Sequence, residues 1–145
     1  MPFQPPCSHQ ILNREDAVTA RRTLLANASF TAASAVFIFI ARDWLYPLFA
    51  LESPALLAAV AGGLLLYAGS LAVAAKREPP DRRALMTAAV LDAGWVVGSA
   101  IVLLAAWTQL APAGRVLLIA AALIVEVFAT LQYRVARSIA AEVGR

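Results

Sequence analysis

"PALLAAVAGGLLLYAGSLAVAA" (residues 54–75) runs without a charged side chain and is followed at once by "KREPPDRR" (76–83), four basic residues around a pair of prolines. A helix over the first stretch is long enough for a bilayer core about 30 Å thick, which takes about 20 apolar residues. The second stretch stops it. Pro79 and Pro80 lack an N–H, and the basic side chains hold that boundary in the aqueous interface.

Three further windows outside this span are nearly free of charge: Thr23 to Ala41, Ala84 to Thr108 and Val116 to Tyr133. The chain has 145 residues, 61% hydrophobic and 14% charged, with a mean hydropathy of +0.74, far from the balance of water-soluble domains. What lies between the windows is too short to fold alone. The expected organisation is a single all-α membrane domain over 1–145 with a tail over 1–20. Short connections between spans predict an up-down four-helix transmembrane bundle with antiparallel neighbours.

Ten of the twelve Lys and Arg fall before the first window, in 76–83, or after the last window, leaving only Arg42 and Arg115 on the other side. The positive-inside rule then puts both termini and the 76–83 loop in the cytoplasm. Trp44, Tyr46 and Trp107 fall at the opposite interface, where amphipathic rings prefer to sit. "ESP" (52–54) starts the second span with Ser53 as cap and Pro54 at the first helical position, and the partly apolar loop 42–52 is expected to lie along the interface. The opening "MPFQPPCSHQILNREDA" has prolines and acids where a cleavable leader would have an apolar core, so the first span is expected to persist.

Several function classes have no residues to carry them. Cys7 is the only cysteine and His9 the only histidine, so an intrachain disulfide and bis-histidine haem ligation within one chain are excluded. "PPCS" lacks the apolar approach of a lipoprotein signal. Cys7 with His9 falls short of a four-ligand zinc set, and the proline-rich tail around them is expected to be disordered. No phosphate loop, HExxH zinc motif or hydrolase nucleophile elbow occurs. The net charge of +3 is explained by topology and anionic headgroups, with no nucleic-acid partner needed. Gly62, Gly63 and Gly69, and the Gly94–Gly98 GxxxG pair, are expected to serve packing within the bundle, with a homo-oligomer as the other use.

Against this apolar background Asp92, in "AAVLDAGWVVGS" (88–99), and Glu126 are the only charges inside the windows. A carboxylate in hydrocarbon is costly, about 2.5–3.5 kcal/mol even on insertion scales, so it turns inward and finds partners. At 1.5 Å per residue, Asp92 lies about 13 Å beyond Arg83 and Glu126 about 12 Å short of Arg134. Tyr67 lies about 13 Å from Lys76, and Asn27 about 8 Å from Arg22. All four helices therefore offer a polar group to one layer, and helical phase groups Asn27 with Thr31, Asp92 with Trp95 and Ser99, and Glu126 with Thr130. The expectation is a paired-carboxylate site in which Asp92 and Glu126 share a proton or bind a cation. Asn27, Tyr67, Trp95, Ser99 and Thr130 would surround them, and any metal would use the two acids.

Asn27 with Phe30, "GGLLLYA" (62–68), "LDAGWVVGS" (91–99) and "EVFATLQ" (126–132) resemble small four-span bacterial integral membrane proteins without an assigned function. The resemblance implies a multi-pass protein of the bacterial inner membrane and names no cofactor. Small multidrug transporters carry their glutamate in the first span, where this chain has none. The glutathione-dependent four-span enzymes have a basic motif that finds no match here. The leading expectation is a site for a proton, a cation or a small polar or cationic ligand, serving transport or sensing. A structural or assembly subunit, and a membrane enzyme acting on a lipid or quinone, stand as alternatives.

Overall fold

The computed structural model describes residues 8–77 and 81–143. They form α1 (Ser8–Leu45), a 3-10 turn (Tyr46–Phe49), α2 (Ala55–Ala75), α3 (Arg82–Ala105) and α4 (Pro112–Val143). All four α-helices are long and apolar enough to cross a membrane.

Helix ends follow the local chemistry. No Gly or Pro interrupts the chain from Ser8 to Tyr46, so α1 reaches back to Ser8 and most of the expected tail is helical. Cys7 lies outside the described residues. α4 likewise runs on past Tyr133 to Val143, through residues that favour helix. α3 stops at Ala105, short of the expected Thr108, because Ala106 leaves helical geometry and its carbonyl takes the N–H groups of both Gln109 and Leu110. At the start of α2 the cap sits one residue later than expected: Pro54 holds the cap position, while the Ser53 hydroxyl accepts from the Ala55 N–H at 3.2 Å.

Alanines make up most of the interior, with leucines between them, and large side chains dominate the exterior. Ala20, Ala35, Ala61, Ala88 and Ala136 are buried, whereas Leu104, Leu66 and Ile40 are 84%, 80% and 75% exposed. Lipid solvates the large side chains as well as a protein core would, so small interior residues that let backbones approach are the effective choice. α1 packs along α2, α3 packs along α4, and α1 against α4 joins the two pairs, while α2 and α3 touch only sparingly. Near the 76–83 loop, Leu24, Leu71, Leu85 and Ala136 close an apolar core.

The α1–α2 connection is tied to the start of α4. The Leu48 carbonyl accepts from the Ala111 N–H at 3.0 Å. A Cβ on Gly114 would collide with that same carbonyl oxygen, so only glycine fits in the first turn of α4. The span glycines correct an expectation. A Cβ at Gly62, Gly63, Gly69, Gly94 or Gly98 would meet nothing within 4 Å, so these residues do not mediate close helix contacts within the chain.

Candidate functional site

Asp92 sits on the inward face of α3, one turn beyond the buried Ala88 and Ala89, and is 3% exposed. Both carboxylate oxygens act as acceptors. Asn27 on α1 donates through Nδ2 to Oδ2 at 2.6 Å, and the Tyr67 hydroxyl on α2 donates to Oδ1 at 2.8 Å. Thr31, one turn along α1, donates to Asn27 Oδ1 at 3.2 Å, which fixes the amide so that its NH2 faces the acid. The Tyr67 hydroxyl also lies 3.3 Å from the Ala88 carbonyl. Since α2 and α3 otherwise touch little, Tyr67 is their principal polar link.

The fourth helix contributes Gln132, which sequence reasoning missed. Its side chain is fully buried, its amide reaches towards Asp92, and neither amide atom has a partner in hydrogen-bonding geometry. A buried amide left unpaired costs about 1–3 kcal/mol. The signal was available in "ATLQYRV" (129–135), where an uncharged polar residue lies three residues after Ala129, on the face that α4 buries.

Sequence reasoning took the other polar stripe of α4 instead. Glu126 and Thr130 are exposed, and Glu126 Oε1 accepts from the Thr130 hydroxyl at 3.4 Å. Gln132 lies six residues beyond Glu126, about 120° away around the helix, so the two cannot share the interior face. The expected pair of acids is therefore split. Asp92 faces the interior, and Glu126 lies in a groove on the outer side of the α3–α4 seam, with Ala89, Val90 and Ala93 opposite.

Asp92 also forms part of the wall of a cavity of about 350 Å³ to which all four helices contribute. Phe30 and Thr31 come from α1, Leu64 and Tyr67 from α2, Trp95 from α3 and Val125 from α4. Phe30 is held by Phe128, their rings 5.8 Å apart. Trp95, one turn from Asp92, is 39% exposed, which places this wall between the interior and the outer surface of α3. Ser99 is buried two turns past Asp92.

No Lys or Arg among the described residues forms an ion pair with Asp92; the pair of Arg42 with Asp43 lies in the 42–52 region. Among those residues there is also no group of three His, Cys, Asp or Glu side chains that could hold a metal ion. The arrangement is thus one buried carboxylate, neutral donors fixed around it, and an apolar, partly aromatic cavity beside it. No protein-family model matches the chain, and no match to a curated protein or a solved structure was found.

Proposed function

We propose that the protein is an intramembrane binding protein whose Asp92 takes a small cationic ligand into the cavity between the helices. The observation that carries this reading is a buried acid with both oxygens accepting hydrogen bonds, no basic partner among the described residues, and open volume beside it. An acid in such a place calls for a proton or a positive charge, and the open volume beside it favours a cationic ligand. The cavity is of a size that suits a small organic molecule. Its Phe30, Tyr67 and Trp95 walls suit a cation with an apolar body, because aromatic faces attract positive charge. Binding of this kind is the first step of transport or of sensing.

The reading includes a topology. Ten of the twelve basic residues lie towards one set of span ends, which favours both termini and the 76–83 loop being cytoplasmic and consecutive helices running antiparallel; the bacterial inner membrane is what the resemblance to small four-span bacterial proteins implies. Arg42 and Arg115, at the other ends, lie over Phe39 and Trp107 at 4.8 and 4.5 Å, which suits an interfacial position.

Calorimetric titration of the purified chain with 2-phenylethylamine, and with the neutral 2-phenylethanol, tests the proposal. Saturable binding of the amine, at least about tenfold tighter than the alcohol and lost in Asp92→Asn with helicity retained, is the expected result. Equal binding of both compounds, or amine binding that survives Asp92→Asn, would contradict it. A second reading rests on the bonds themselves: Asn27, Tyr67 and Asp92 tie three helices together, as a structural subunit would require. It predicts that Asp92→Asn changes thermal stability alone.

A further inference from the structure

We propose that the outer groove between α3 and α4 binds an anionic phospholipid, independently of the Asp92 cavity. The groove measures about 610 Å³. Its α3 wall is apolar, made by Met86, Ala89, Val90 and Ala93, spaced to share one face. Its α4 wall ends at Tyr133, Arg134 and Arg137, with the Arg137 guanidinium 5.9 Å from the centre of the Tyr133 ring.

A third guanidinium is fixed at the same end. Arg82, at the start of α3, donates through Nε to the Ala136 carbonyl at 3.3 Å and so bridges the seam beside Arg137. No described carboxylate forms an ion pair with any of the three arginines. Glu126 lies about 12 Å along α4 from Arg134, deeper in the groove than a headgroup would reach. Two arginines lining the end of an apolar groove, with Arg82 anchored across the adjoining seam, complement a phosphate attached to an acyl chain. The phosphate accepts from the guanidinium forks, and the chain lies along the α3 wall.

The phosphate alone would suit the arginines, and the apolar wall selects the lipid as its source. Native mass spectrometry of the full chain, released from micelles with equal amounts of phosphatidylglycerol and phosphatidylcholine, tests this. Preferential retention of phosphatidylglycerol is expected, falling about fivefold for each charge removed in Arg134→Gln and Arg137→Gln. Arg115→Gln, at the opposite end, should leave the preference unchanged. Val90→Trp fills the apolar wall without touching a charge and should also release the lipid, which keeps the test open if the arginine variants fold poorly. Equal retention of both lipids, an effect of Arg115→Gln as large as that of Arg134→Gln, unaltered retention in Val90→Trp, or displacement of the lipid by excess inorganic phosphate would each overturn the assignment.

Discussion

At Gln132, the interior of the bundle holds an amide that reaches towards Asp92 without meeting hydrogen-bonding geometry, beside an acid that bonds to Asn27 and Tyr67. Replacing it with leucine removes an unpaired polar group while keeping most of the volume. Gln132→Leu should therefore raise the thermal stability of the ligand-free protein by about 1 kcal/mol, measured by unfolding in detergent. A loss of stability would show that the amide has a partner after all. Tyr67→Phe should act the other way. It deletes the hydroxyl that joins α2 to α3 through Asp92 and should cost about 0.6–2 kcal/mol, the range for polar contacts between membrane helices. Depth counting from the basic flanks was enough to bring Asn27, Tyr67 and Asp92 to one layer. It gave no reliable azimuth on α4, where two polar stripes compete. Charge drew the choice to Glu126, although an outward carboxylate near a groove and an inward amide near an acid are both physically consistent.

Elements were legible where the signal was composition and less so where it was contact. The four spans follow from runs without charge. α1 and α4 extend beyond the apolar windows, because polarity limits a membrane span and does not by itself end a helix. The tie between the 3-10 turn and α4 is long-range and left no local trace. Gly114→Ala should destabilise the protein by about 1–3 kcal/mol, because the new methyl meets the Leu48 carbonyl. Ala50→Gly should do the reverse. Ala50 has φ of 53°, and its N–H bonds the Pro47 carbonyl at 3.2 Å, so glycine keeps the turn without the left-handed penalty and should gain about 1 kcal/mol. Both shifts are readable as changes in the unfolding midpoint. Gly94→Ala provides the contrast: with no neighbour to meet, it should be neutral or slightly stabilising in a monomer. A marked loss would place Gly94 against a second copy of the chain.

For the molecule as a whole, the helices pair α1 with α2 and α3 with α4, and the gap between the pairs is bridged on one side by Tyr67 and Asp92. That arrangement gives the buried acid a fixed hydrogen-bonded rim and a cavity next to it. Sequence composition made the membrane class and the four spans plain, but it could not reveal a cavity, which depends on which side chains fail to fill the space between helices. The central claim is that the cavity is a seat for a cation held by Asp92. A high-resolution structure of the protein in lipid, prepared with saturating 2-phenylethylamine, tests it most directly. Density for the ligand is expected in the cavity, with its ammonium nitrogen about 2.7–3.2 Å from an Asp92 carboxylate oxygen and its ring beside Phe30 and Trp95. A cavity left empty under those conditions, or the amine bound elsewhere with Asp92 contacted only by Asn27 and Tyr67, would contradict it.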